Sequence, residues 1–256
     1  MARLRLLVAY HGAGFHGLAP QPGQRTVVGV IGEAMATVLR LPEAPDFTMS
    51  GRTDAGVHAW GQVLHVDVPD DVDPVRVERS LRKMLSPEVV VRSVEVTSAE
   101  FDARHSATWR LYRYSILNDP IADPWLADTA WHVSEPLNVD LMRLSIDPFI
   151  GEHDFSSFCG AVQHEGQTNK RRILAGSIRR VEEDPRLLVL ELLGTAFCRQ
   201  MVRSVTGFVV DVGRGRRTPG EVLAVIERRD RSAAGTVAPP HGLCLWEVGY
   251  EPTPHS

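Results

Sequence analysis

The chain has 256 residues, 43% hydrophobic and 23% charged, which excludes a largely disordered protein and allows one large domain or two of about 100–150 residues. No run approaches the roughly 18 apolar residues of a membrane span, Met1 to Tyr10 carries too short an apolar run for a secretory signal, and three widely spaced cysteines exclude a disulfide framework, so the expectation is a cytoplasmic protein. A net charge of −4, from 28 bases and 32 acids, argues at first sight against a nucleic-acid partner.

Six elements are predicted in the first half. Arg3 to Tyr10 alternates and is rich in Leu and Val, as a strand is. Thr26 to Leu41 has apolar residues at helical spacing, with Thr26 as N-cap. Phe47 to Gly51 and Gly61 to Val68 read as strands. Val75 to Leu85, bounded by Pro74 and Pro87, reads as an amphipathic helix, and Glu88 to Thr97 as a strand. The order is β-α-β-β-α-β, that of a ferredoxin-like unit.

The second half repeats that order loosely. Ala107 to Leu117 and Thr129 to Val133 are predicted strands, and Val139 to Ile150 a helix capped by Asn138. Ile173 to Glu182 and Arg186 to Gly194 form a strand pair. Cys198 to Val212 and Pro219 to Arg228 are predicted helices, and Leu243 to Tyr250 a closing strand. The expectation is therefore an α+β fold of two ferredoxin-like subdomains with largely antiparallel sheets, residues 1–105 and 106–256.

Charge is unevenly spread over these elements. From Asn118 to Thr168 nine acids face one base, a net of −8, whereas from Asn169 to Arg217 eleven bases face five acids, a net of +6. The total thus conceals a basic segment. Every cation except Lys83 and Lys170 is an arginine. The planar fork of arginine suits phosphate and carboxylate, although genome composition produces the same bias.

Several patterns bear on chemistry. Gly12 to Gly17 matches G-x-G-x-x-G after a strand, but Pro20 and Pro22 follow and no helix opens at the glycines, so a dinucleotide-binding turn is not expected; a flexible Gly-rich loop is. Cys159, Cys198 and Cys244 form no C-x-x-C pair and no histidines have zincin spacing, so no metal is expected; the adjacent His153 and Asp154 do not change that. The run Gly51-Arg52-Thr53-Asp54-Ala55-Gly56-Val57-His58 places a carboxylate and a cation in a glycine-bounded loop. It reads equally as a loop presenting Asp54 as a nucleophile beside Arg52 and as a surface turn capped by Asp54. Alternation puts Arg110, Tyr112 and Tyr114 on one strand face, either a base-stacking platform or ordinary cross-strand pairing. On the helix from Cys198, the residues Arg199, Arg203 and Thr206 form a stripe, either reaching a carboxylate in a cleft or simply solvated. Lys170-Arg171-Arg172 and Arg179-Arg180 are phosphate-contact candidates or a solvated face.

Taken together and in this order, these segments resemble the TruA family of tRNA pseudouridine synthases. The Gly51–His58 octapeptide resembles the family's catalytic signature. Phe101 to Arg104 with Arg110 to Tyr114 resembles a second motif, Gly151 to Phe155 a third, and Met201 to Gly207 with Gly242-Leu243 the last. The resemblance implies a cofactor-independent isomerase that converts uridine to pseudouridine at positions 38–40 of the tRNA anticodon stem-loop. It also implies a homodimer whose protomers hold the active-site cleft between two ferredoxin-like subdomains. By the same carry-over Asp54 is the nucleophile, Arg203 pairs with it, Tyr112 packs on the target uracil and Arg52 displaces or holds the flipped base. Arg25, Arg110, Lys170 and Arg171 are the further RNA-binding candidates. The chain departs from the family pattern at His11, where the family has Asp, and at Leu18 and Ala19, where it has Trp-Gln. A non-catalytic RRM-like module is the alternative, since RRMs share the element order, but neither half has a good RNP1.

Overall fold

A computed structural model describes residues 1–160 and 168–252. The chain divides into two compact units, residues 1–108 with 244–256, and residues 109–243. Both are mixed α and β with a mostly antiparallel sheet. No helix among the described residues is long and apolar enough to cross a membrane.

The first unit contains β1 (Ala2–Tyr10), α1 (Val27–Leu39), β2 (Phe47–Met49), β3 (His58–Val68), α2 (Pro74–Leu85), β4 (Val89–Thr97) and β10 (Leu243–Gly249). The first six appear in the predicted order. β1 runs antiparallel between β3 and β4, and β2 pairs antiparallel with β3. α1 begins where the sequence places it, because the Thr26 hydroxyl accepts from the Gly29 N–H at 3.2 Å. α2 begins one residue before the predicted start, with Pro74 in its first turn and the Asp73 carboxylate accepting from the Val75 N–H. Leu4, Leu6, Ile31, Met35, Leu64 and Leu81 are fully buried; each such side chain contributes on the order of 1.5–3 kcal/mol relative to exposure. The last strand behaves differently from expectation. β10 follows the second half in sequence but pairs in parallel with His58 and Ala59 of β3.

The second unit contains β5 (Trp109–Asn118), β6 (Trp131–Val133), α3 (Val139–Leu144), β7 (Gly151–Asp154), β8 (Lys170–Arg180), β9 (Leu187–Gly194), α4 (Met201–Gly213) and α5 (Glu221–Arg228). β9 lies antiparallel between β5 and β8, and β7 extends the sheet beyond β8. The helix expected over Val139–Ile150 is shorter. It ends at Leu144, and Asp147 to Phe149 form a single 3-10 turn, because Pro148 has no N–H and restricts Asp147 before it. β7, which no alternation signalled, fills the space after that break. Phe149, Phe155, Phe158 and Phe208 form an aromatic cluster whose ring centroids lie 5.0–6.5 Å apart.

The cysteine expectation is corrected here. Cys159 and Cys198 are joined by a disulfide with Cα atoms 5.7 Å apart, and Cys244 is free. Spacing hid the pair because 39 residues separate its members; the fold brings them together by setting the residues just after the 3-10 turn Phe155–Ser157 against those just before α4, where the Gly160 N–H donates to the Arg199 carbonyl. Thiol titration of the unfolded, unreduced protein is expected to find one reactive cysteine, rising to three on reduction. Breaking the crosslink by Cys159→Ser is expected to lower stability by about 2–4 kcal/mol in chemical denaturation.

Candidate active site

The segment Ser50–His58 leaves β2 and enters β3, and every stretch of it except the tip is tied down. At its start the buried Ser50 hydroxyl donates to Gln62 Oε1 at 2.6 Å, and Gln62 Nε2 donates to the Gly51 carbonyl at 3.0 Å. Next, the Thr53 and Tyr10 hydroxyls are hydrogen-bonded at 2.7 Å in a buried position, and the Leu18 N–H donates to the Thr53 carbonyl. Beyond the tip, the Val57 N–H donates to the Asp54 carbonyl, with Gly56 at φ +78°. That closes a turn whose third position needs positive φ, which glycine adopts without strain. At the far end the Gly12 N–H donates to His58 Nδ1 at 2.9 Å.

Between these tethers the side chains of Arg52 and Ala55 are exposed and Asp54 is half-exposed, while Thr53, Val57 and His58 are buried. The loop thus presents one carboxylate from a backbone fixed on both sides. The exposed Arg52 places a cation two residues from that carboxylate.

The Gly12–Gly17 run is an ordered abutment for this loop, which corrects the expectation of a flexible one. Gly12 to Gly14 form a 3-10 turn, the His16 N–H donates to the Arg25 carbonyl, and the Gly17 carbonyl accepts from the Val27 N–H. A Cβ on Gly12 would overlap the Val57 carbonyl, so glycine is required there by close backbone approach. The helix that a dinucleotide fingerprint needs at the glycines starts only at Val27.

In the second unit, α4 carries the other candidate. Twelve of its 13 residues are buried, and Arg203 is the exception. The Arg203 Nε donates to the Ala238 carbonyl at 2.7 Å, while the Ala238 N–H donates to the Arg203 carbonyl at 3.1 Å. These reciprocal bonds fix the base and direction of the guanidinium. The stripe expected from Arg199, Arg203 and Thr206 does not form. Arg199 precedes the helix, and Thr206 is fully buried with its hydroxyl on the Val202 carbonyl.

On β5, Tyr112 is 9% exposed and meets the Phe197 ring edge-on at 5.1 Å. Tyr114 is fully buried, its hydroxyl donating to the Pro239 carbonyl at 2.8 Å, and burial raises its pKa. These rings form no open platform of the kind that stacks bases in an RRM. Arg110 donates to the Thr195 carbonyl at 2.7 Å. Phe197, which orients the Tyr112 face, opens the Phe197–Val205 run, whose chemistry the sequence assigns to its arginines alone.

Two RNA-contact candidates are otherwise engaged. Arg25 pairs with Glu88 at 2.8 Å and lies over the Phe15 ring at 4.3 Å; each partner's hydrogen bond holds the other charged, raising the pKa of Arg25 and lowering that of Glu88. Arg171 is partly buried, donates to the Thr168 and Lys170 carbonyls, and has its pKa lowered by desolvation. Lys170, Arg172, Arg179 and Arg180 are exposed along β8. Asp154 accepts from the Ser156 hydroxyl and N–H, which lower its pKa. No cluster of three metal-ligating side chains occurs among the described residues.

Comparison with known proteins adds the family. A family profile described as tRNA pseudouridine synthase matches residues 146–251, a span that includes Arg203 but not the Asp54 loop. Full-length relatives cover both. The tRNA pseudouridine synthase A of Frankia casuarinae is 43% identical over 99% of this chain and 91% of that protein. That of Leifsonia xyli subsp. xyli is 41% identical over 97% and 91%, and that of Bacillus subtilis 37% identical over 97% and 99%.

Proposed function

The chain belongs to the tRNA pseudouridine synthase A family and isomerises uridine to pseudouridine in tRNA, and from that premise we propose that it acts at positions 38–40 of the anticodon stem-loop with Asp54 as the covalent nucleophile. The observation that carries the site assignment is the loop itself. It exposes one carboxylate from a backbone tethered at Ser50, Thr53 and His58, and a passive RNA-binding module has no use for such an arrangement. The RRM-like alternative is not favoured, since the full-length relatives that the chain matches are tRNA pseudouridine synthases.

In the reaction the C1′–N1 bond breaks, the uracil turns and a C1′–C5 bond forms. C5 loses a proton and N1 gains one, so atoms and electrons balance without a redox cofactor. An ionised, poorly solvated carboxylate is a competent covalent nucleophile. Arg203 is the cation that pairs with it and favours its charged form; its anchored base and its position as the one unburied residue of α4 support that role. The target base must leave its stack at a cost of a few kcal/mol. Packing on Tyr112, whose ring Phe197 steadies, returns about 1–3 kcal/mol. Arg52 holds the displaced base or its phosphate. Lys170 and Arg110 extend the RNA contact, with Arg25 and Arg171 acting through the groups they hold.

The reading further includes two ferredoxin-like subdomains, residues 1–105 with the catalytic loop and 106–256, acting as a homodimer in the cytoplasm, where tRNA is modified. The first half supports the subdomain assignment through its strand order β4-β1-β3-β2 with antiparallel neighbours. In the second half, β5, α3, β8, β9 and α4 follow in the same chain order, with β6, β7 and α5 as additions, while β10, the strand that would complete the order, groups with the first unit.

Tritium release from tRNA carrying 5-tritiated uridine, with no cofactor added, tests the reaction. Release in proportion to enzyme and time is expected; none would overturn it. RNA binding is expected to weaken steeply with salt. Arg52→Ala is expected to raise the Kd for tRNA severalfold and to lower the slope of log K against log salt by about 1, as measured by filter binding between 50 and 200 mM salt.

A further inference from the structure

The buried His58 has no part in the reaction as assigned so far and yet closes the catalytic loop. Its Nδ1 accepts the Gly12 N–H at 2.9 Å, and the side chain is 8% exposed. A ring nitrogen that accepts must carry its lone pair, so the imidazole proton lies on Nε2. The contact is part of a close approach of two backbones. The Gly12 position tolerates no Cβ against the Val57 carbonyl, and Gly12 opens the 3-10 turn that follows β1. His11, next to it, lies with its ring centroid 4.5 Å from that of His58, and Cys244 of β10 is the register partner of His58. The other side of the loop is tied to β1 by the Tyr10–Thr53 hydroxyl pair. Asp54 therefore sits between two tethers, one at Thr53 and one at His58, both leading to the segment Tyr10–Gly12.

We infer that His58 is a positioning residue whose Nδ1, by accepting the Gly12 N–H, fixes the downstream end of the Asp54 loop in the geometry needed for attack. The inference rests on Asp54 being the nucleophile. A nucleophile displaced by about 1 Å loses roughly 10²-fold in rate, whereas tRNA affinity comes mainly from phosphate contacts elsewhere. The latch therefore acts on kcat and leaves KM nearly unchanged.

The test exploits the fact that an asparagine amide oxygen occupies the place of Nδ1, while that of glutamine reaches the place of Nε2. His58→Asn, His58→Gln and His58→Leu are compared with the parent protein for kcat, KM and thermal midpoint. His58→Asn is expected to keep kcat within a few-fold. His58→Gln and His58→Leu are expected to lose about 10- to 100-fold in kcat with KM changed less than about 3-fold. Should His58→Leu fail to fold, the contrast between the two amides decides alone. Equal kcat for Asn and Gln, or a loss that tracks the thermal midpoint in all three, overturns the inference. Asp54→Asn is run alongside. If that variant stays active the nucleophile assignment fails, whatever the His58 series shows; if it is inactive and the two amides behave alike, the latch alone fails.

Discussion

Asp54→Asn is expected to abolish pseudouridine formation, by at least about 10³-fold in single-turnover rate, while the protein stays folded and still binds tRNA. The amide has nearly the shape of the carboxylate but is no nucleophile, and removing a covalent nucleophile is among the costliest single changes in an active site. The main tethers of the loop run through Ser50, Thr53, Val57 and His58, and Asp54 contributes its backbone carbonyl to the turn. Asparagine keeps the size and shape of the Asp54 side chain, so the scaffold stays in place. Gel-shift titration and a thermal melt, each compared with the parent protein, check the two retained properties. Near-normal turnover would mean that the loop presents Asp54 for some purpose other than attack.

The second large effect is expected at Gly207. It lies inside α4, where a Cβ would overlap the Thr236 carbonyl and come within 3.3 Å of the Ala238 N. Both atoms are backbone and cannot turn aside as a side chain does. Gly207→Ala is therefore expected to destabilise the protein by about 2–3 kcal/mol, the upper part of the range for overpacking, which lowers Tm by roughly 5–10 °C in a chain of this size. It is also expected to lower activity beyond the loss of folded protein. Ala238 both receives the Arg203 Nε and donates to the Arg203 carbonyl, so pushing the 236–238 segment outward loosens the guanidinium. Calorimetry with activity measured well below Tm separates the two effects. An unchanged melting curve would show that the helix and segment 236–238 part without cost.

The same positions explain what was legible in the sequence. Local signals performed well where local physics decides. Thr26 caps its helix, Pro74 marks the start of the next, the alternating run Arg3–Tyr10 forms β1 between two antiparallel neighbours, and the Gly51–His58 run folds into a tethered loop. What the sequence withheld depends on tertiary placement. α4 lies deep in its unit, so Thr206 satisfies its hydroxyl inside the helix instead of joining a polar stripe. Arg25 and Arg171 look like free cations in one dimension, yet Glu88 and nearby backbone carbonyls engage them. Cys159 and Cys198 meet only because two distant loops are aligned. Pro148 was a readable stop signal for α3, outweighed by an apolar period that continued past it. The Tyr10–Thr53 and Gly12–His58 bonds join the end of one strand to a loop some forty residues on, a relation no periodicity encodes.

Nucleotide-resolution pseudouridine mapping of a tRNA transcript with uridines at 38, 39 and 40, after incubation with the purified protein, tests the assignment most directly. Expected is pseudouridine at one or more of these positions with the parent protein and at none with Asp54→Asn. Modification confined to uridines outside the anticodon stem-loop, or equal modification by both proteins, would contradict it.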